Sequence, residues 1–254
     1  MATPPPLLME EINMLVEQLM NGLGQGMIYA LMSLGYALIY GVVGLVTFAH
    51  GDVIMLGAFA AYYTFSLVSG NLLVALLAGF LVSGLMGFVV HRVCYNRFFS
   101  APRQISLICT IGMGMFLRNL VQVMAGTETK PIPDLFGSEA ITFAGLRITY
   151  MQGFIFAVVL ILAGLLTLFL NRTRAGLSLR AVSMDKTASA MVGINTRRAT
   201  TIGNMIGCGI AGISGVLLAM YYGSITPMMG GTIGMKSFCC AVLGGMSSIW
   251  GAAI

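Results

Sequence analysis

Charge is what this sequence has least of. Only 8% of its 254 residues are Asp, Glu, Lys or Arg, against 58% apolar, where a soluble domain carries about 25% charged residues. So few charges cannot clothe a water-facing surface. That excludes a soluble enzyme, a nucleic-acid binder, a secreted disulfide scaffold and a disordered tail. Basic residues are missing altogether before Arg92. The opening MATPPPLLMEEINML therefore lacks the basic front end of a secretory signal peptide and carries Glu10 and Glu11 instead. Pro4–Pro6 reads as a short exposed lead, and residues 1–17 as a segment ahead of the first span. Cysteine is scarce and unpatterned: five residues with no C-x-x-C spacing, which points to small packing groups rather than a metal or redox site. No G-x-x-x-x-G-K-[ST] loop is present, and no cofactor is implied.

What the sequence has is apolar length. A helical crossing needs about 20 mostly apolar residues, and seven segments come near this: Gln18–Val43, Val53–Val68, Asn71–Cys94, Ile105–Ala125, Tyr150–Leu170, Thr200–Tyr222 and a run from Ser237 onward. Backbone groups in lipid must bond internally, so these are helices. The expected fold is an all-α polytopic membrane bundle of about seven helices, one transmembrane domain over residues 18–254. Lys and Arg cluster at Arg92–Arg103 and, more densely, between Asn171 and Ala199. The positive-inside rule places both stretches in the cytoplasm, the 126–149 loop outside and, counting back, the N-terminus outside.

Thirty-three glycines would be ruinous in water-exposed helices. In lipid, small residues four apart let backbones approach, as at Gly22/Gly26, Gly203/Gly207 and the run Gly207, Gly209, Gly212, Gly215. Two stretches interrupt the helical pattern, GLVTFAHG (Gly44–Gly51) and YGSITPMMGGTIG (through Gly234). Paired interruptions in two halves of a chain point to a pathway at a repeat interface. They nominate Thr47, Phe48, His50, Gly51, Asp52 and Pro227, with Asn21 from the first span, as path-lining or helix-breaking residues.

An ionisable residue inside a membrane is a functional candidate. Asp52 also stands where a carboxylate accepts from the free N–H groups of a helix's first turn, and capping is its simpler role. His50 could bond a freed carbonyl or line a path. Arg118 is expected to lay its stem along the fourth span with its head at the interface. Gly212-Ile213-Ser214-Gly215 matches the Gly-x-Ser-Gly of rhomboid proteases, but no histidine follows residue 91 to act as base, so a protease is rejected.

Between Asn171 and Thr200 lies a cytoplasmic segment in which Met184, Ala188, Met191 and Val192 fall on one stripe of a short helix. Asp185 sits near its start and Gly193 where it would stop. Such a helix can lie on the bilayer, to which its basic flanks draw anionic lipid, or seat its apolar face in a soluble partner. Pattern alone favours the bilayer.

Four ordered blocks change that reading: NGLGQGMIYALMSLGYALIYGVVGLVTFAHGDVIMLGAF (Asn21–Phe59), TIGMGMFLRNLV (Thr110–Val121), RTRAGLSLRAVSMDKTASAMVGIN (Arg172–Asn195) and YYGSITPMMGGTIGMKSFCCAVLGGMSSIWGA (Tyr221–Ala252). Over nearly its whole length the chain resembles the H-type permease subunits of branched-chain amino acid ABC importers. The resemblance implies a type II importer-like permease in the bacterial cytoplasmic membrane. Its partners would be a second related permease subunit, two cytoplasmic ATPase subunits and an extracytoplasmic binding protein delivering leucine, isoleucine or valine. It makes Met184, Asp185, Ala188, Met191, Val192, Gly193 and Ile194 the coupling helix against the ATPase. Thr47 departs from the asparagine usual before Phe-Ala-His-Gly, and the family pattern continues for roughly two spans beyond Ile254. Sibling importers of urea or simple sugars share the architecture. An ion-coupled secondary transporter using His50 and Asp52 is the remaining alternative.

Overall fold

The computed structural model describes residues 6–67, 70–98, 102–135, 137, 140–143 and 146–245. Over the described residues, each of the seven apolar segments forms a helix. Five are long and apolar enough to cross a membrane, over Met14–Val43, Leu72–Asn96, Gln104–Ala125, Tyr150–Arg172 and Thr196–Tyr222. They belong to α1 (Pro6–Val43), α3 (Leu72–Val90, extended by a π-helical turn His91–Asn96), α4 (Arg103–Ala125), α5 (Tyr150–Arg172) and α8 (Thr196–Tyr222). The other two are short: α2 (His50–Leu67, 18 residues) and α9 (Met229–Gly244, 16 residues). At 1.5 Å per residue they reach about 27 and 24 Å, less than the roughly 30 Å hydrocarbon core. Each follows one of the two interruptions.

Two expectations are corrected at the ends of the chain. Helix α1 already begins at Pro6, a residue suited to a first helical turn, so residues 6–17 are part of the helix and not a separate lead. The last helix starts at Met229, eight residues ahead of the expected Ser237, and residues 246–254 lie outside those described.

The central element is α8. From Gly207 to Ala219 every residue is buried, because α1, α2 and α3 all lean on its glycines. A Cβ on Gly212 would lie 2.5 Å from the Ser83 Cβ and would also strike the Gly79 carbonyl oxygen, while one on Gly57 would lie 2.6 Å from the Gly212 Cα. Gly207 faces Ile39 of α1 and Gly209 faces Phe80 of α3. The expectation fails at Gly22 and Gly26, which are exposed with nothing within 4 Å of their Cβ positions. The protease-like serine is absorbed as well: Ser214 Oγ donates to the Ala211 carbonyl within its own helix, 2.6 Å away.

Polar contacts sort the connections onto two ends of the bundle. At one end, β1 (Lys130–Pro131), after α4, pairs antiparallel with β4 (Ser224–Ile225), after α8. The hairpin of β2 (Ala140–Phe143) and β3 (Leu146–Thr149) runs straight into α5, and Gln152 at its start donates to Asn21 Oδ1 over 2.7 Å. At the other end, α6 (Arg174–Met184) and α7 (Lys186–Met191) fold beneath α1 and α8. There His91 of the π turn sits between the hydroxyls of Thr200 and Thr201, 3.2 and 3.1 Å from its ring nitrogens. The 130–149 connection and the 174–191 segment therefore lie at opposite ends of the bundle.

Candidate functional site

The first interruption is a re-entry. After α1 ends at Val43, Gly44 takes a left-handed φ of +70° and the chain turns back into the bundle. His50, at the start of α2, lies against Gly35, eight residues before the end of α1 and so about 12 Å along it. His50, Gly51 and Asp52 are all buried. The turn takes a hydrogen bond from α4, whose Thr110 Oγ1 accepts from the Phe48 N–H at 3.3 Å. Thr47 is buried at the same turn.

The second interruption is shorter than expected. Gly223 ends α8 in a left-handed conformation, φ +64°. The β1–β4 pairing then satisfies the extended backbone, as irregular chain in a membrane bundle requires, and α9 begins at Met229. Its first turns run against those of α2: a Cβ on Gly51 would lie 2.6 Å from the Gly234 Cα and would strike the Gly230 carbonyl oxygen. Two helix N-termini thus converge inside the bundle, each carrying unsatisfied N–H groups and a positive dipole end.

Asp52 lies at this junction, and here the sequence reading needs its main correction. Asp52 does not cap α2, and Arg118 does not reach for the interface. The two form a forked ion pair: Nε donates to Oδ1 at 3.0 Å and Nη2 to Oδ2 at 3.3 Å. Asp52 is buried, while the Arg118 side chain keeps 28% of its exposure. Gly114, one turn before Arg118, allows the approach, since a Cβ there would lie 2.5 Å from Asp52 Oδ2. The sequence signal was Gly114 and Arg118 at i and i+4, with the cation inside an apolar span.

Beside the pair opens a cavity of about 250 Å³, walled by Tyr36, Phe48, Ile111, Met115, Met235 and Phe238 and floored by Gly230, Gly231 and Gly234. Tyr36 packs on His50 with ring centroids 4.1 Å apart and stands 6.0 Å from Phe238. Its hydroxyl donates to the Gly234 carbonyl at 3.4 Å. Of the nominated residues, Phe48 and Asp52 line this cavity, Gly51 packs beside it against Gly230 and Gly234, and His50 lies behind Tyr36. Asn21 is elsewhere, tied to Gln152 and Tyr221 at the far end of α1. Pro227 is buried ahead of α9, and Thr47 behind the first turn. Sequence reasoning missed Arg118, Tyr36 and Phe238.

The segment expected to meet the ATPase also differs from its expected form. Asp185 is extended (φ −155°, ψ 114°) and divides it, leaving Met184 as the last residue of α6 and Ala188, Met191 and Val192 in or after the six-residue α7. The carboxylate caps α7, Oδ1 accepting from the N–H groups of Thr187 and Ala188 at 2.7 and 3.0 Å. Met184, Met191 and Val192 are 88, 82 and 76% exposed, and Ala188 is exposed with them. Ile194 instead turns inward, half-buried against the main core. Lys186 Nζ donates to the Val43 carbonyl, the C-terminal turn of α1 immediately ahead of the re-entry. The exposed knob is thereby tied to the first interruption.

Five long helices and two short ones that follow breaks in the chain, with a charged cavity where the short ones meet, define a polytopic membrane permease. The chain belongs to the family described as the branched-chain amino acid transport system permease component, whose profile matches residues 18–254. It is 37% identical over 260 residues to the high-affinity branched-chain amino acid transport system permease protein BraD of Pseudomonas aeruginosa, covering 97% of this chain and 84% of that protein. Against the corresponding permease protein LivH of Escherichia coli the identity is 36% over 260 residues, covering 96% and 83%. No solved structure matches.

Proposed function

We propose that this chain is the membrane subunit of an ATP-driven importer for leucine, isoleucine and valine in the cytoplasmic membrane of a bacterium. It works beside a second related permease subunit, two cytoplasmic ATPase subunits and an extracytoplasmic binding protein. The chain performs no hydrolysis itself; it converts motion of the ATPase into alternating access of a path between the permease subunits. The observation that carries this reading is the exposed apolar knob Ala188–Val192, capped by Asp185 and bonded through Lys186 to the end of α1. A push on that knob reaches the re-entrant turn through one hydrogen bond and a few residues of chain. A partner shifts an equilibrium only through contacts that differ between the two states, and a knob tethered to α1 offers a place for such a contact.

The test is reconstitution with an ATPase, a second permease and a binding protein of this transport family from the same organism. ATP-dependent accumulation of leucine, isoleucine and valine is expected in proteoliposomes. Accumulation by this chain without an ATPase, or none of these three amino acids with one, counts against the reading. Lys186→Met removes a charged donor from the C-terminal turn of α1, worth about 1–2 kcal/mol. It is expected to lower the leucine imported per ATP hydrolysed, read from paired uptake and phosphate-release assays. An unchanged ratio counts against Lys186 as the link.

A further inference from the structure

A buried ion pair is poor value for stability, because apolar residues of the same volume often serve as well or better. Charged groups within a membrane bundle more often mark a path. The Asp52–Arg118 pair has three features that a purely structural pair does not need. Its Arg118 side chain stays partly open to the cavity, with no hydrogen bond to Nη1 among the described residues. The first turns of α2 and α9 meet beside it, Gly51 against Gly230 and Gly234 and Gly230 against Asp52 Oδ1, and paired half-helix N-termini suit an anionic group. The remaining walls are aromatic and aliphatic, and the cavity of about 250 Å³ falls below the roughly 300–1,000 Å³ that drug-sized ligands occupy.

We propose that this cavity is a transit subsite for a zwitterionic amino acid with an apolar side chain, a reading that rests on the permease function above. The substrate carboxylate takes the open edge of the Arg118 guanidinium, beside the N-terminal turn of α9. The substrate ammonium takes a carboxylate oxygen of Asp52. The side chain lies on Ile111, Met115, Met235 and Phe48. Substrate and site each carry one positive and one negative charge, so the mutual bonds of the pair are exchanged for bonds to the substrate without leaving a charge unmatched. An amine or a carboxylic acid of the same shape lacks that match: it leaves Arg118 or Asp52 without its partner. The path thereby adds a chemical filter of its own behind the binding protein.

The test uses the complete importer in proteoliposomes. Capture by the binding protein sets KM, whereas passage through the membrane subunits sets Vmax. The double variant Asp52→Leu/Arg118→Met replaces the pair by apolar bulk. If the pair only holds α2 to α4, this variant transports normally; as a subsite, it is expected to lose at least tenfold in Vmax with KM within twofold. An unchanged Vmax overturns the proposal. Independently, a diazirine analogue of leucine photolysed during turnover of the unmodified importer is expected to label peptides containing Ile111–Arg118 and Gly230–Phe238, and excess leucine is expected to suppress the label. Absence of label there overturns the proposal even if Vmax falls, and labelling decides the matter if the double variant does not assemble. Should the unmodified importer take up no branched-chain amino acid at all, the permease reading fails, and not the subsite alone.

Discussion

Gly212→Val is expected to destabilise the folded bundle severely. In the middle of α8 the residue faces α3 so closely that a Cβ would lie 2.5 Å from the Ser83 Cβ and would also strike the Gly79 carbonyl, while Gly57 of α2 presses from another side. The obstacles are the Gly79 carbonyl and the short Ser83 side chain, neither of which is the far end of a long flexible group. Overpacking costs about 1–3 kcal/mol where one neighbour can shift. Here two helices must move together, so a loss of about 4 kcal/mol or more is expected. For a chain of this size that lowers the melting temperature by roughly 8–16 °C, and the protein elutes as aggregate from size exclusion in detergent. Gly22→Val is the control, because nothing lies within 4 Å of its Cβ position. A valine there is expected to leave the melting temperature of the isolated subunit within about 2 °C. Similar melting for the two variants would mean that helix contact at Gly212 does not hold this fold.

That contrast shows how far the sequence could be read. Helix existence was legible throughout, because apolar length in lipid leaves the backbone no other solution. The glycine run of α8 was legible as packing surface, since only close contact explains so many glycines in one helix. Which glycines face inward was not: Gly22/Gly26 and Gly203/Gly207 have identical spacing, yet only the second pair is covered. Spacing fixes a face, whereas the neighbour that covers it comes from distant sequence.

The site divides along the same line. The two interruptions announced themselves through Gly, Pro and polar residues, and their meeting at Gly51, Gly230 and Gly234 accords with paired broken helices. The partner of Asp52 could not be read, because Arg118 lies 66 residues away and a lone cation on an apolar helix fits an interfacial anchor equally well. Local chemistry misled in the same way at Met184. Helical periodicity runs through Asp185 without a break, but the aspartate caps α7 and leaves the helix phase of α6 behind. Capping competes with continuation wherever a short polar side chain can reach the next two N–H groups.

Ala188→Glu and Gly193→Arg are each expected to abolish copurification of this chain with its ATPase while leaving membrane insertion intact. Ala188 sits on the exposed side of α7, flanked by Met191 and Val192. In an apolar groove of a partner, a glutamate there buries an unmatched carboxylate at a cost of several kcal/mol, and each 1.4 kcal/mol weakens binding tenfold. A loss of at least 100-fold in affinity follows. Gly193 separates the two uses open to this segment. It is exposed, its φ of +85° ends α7, and its Cβ position is empty to 4 Å. On anionic lipid an added arginine strengthens attachment, whereas in a fitted protein groove its bulk and charge are excluded. Gly193→Ala imposes the same backbone strain without the bulk and is expected to retain most of the binding. Pull-down of the ATPase from detergent-solubilised membranes, with insertion checked by carbonate extraction, reads all three variants. Retention of the ATPase by Gly193→Arg, together with tighter adsorption to anionic vesicles, would return the segment to the bilayer surface. Equal loss in Gly193→Arg and Gly193→Ala would assign the effect to the turn and not to a docking face. The tether through Lys186 and the inward anchor at Ile194 favour the groove, because a surface-lying helix gains nothing from being held rigid at both ends.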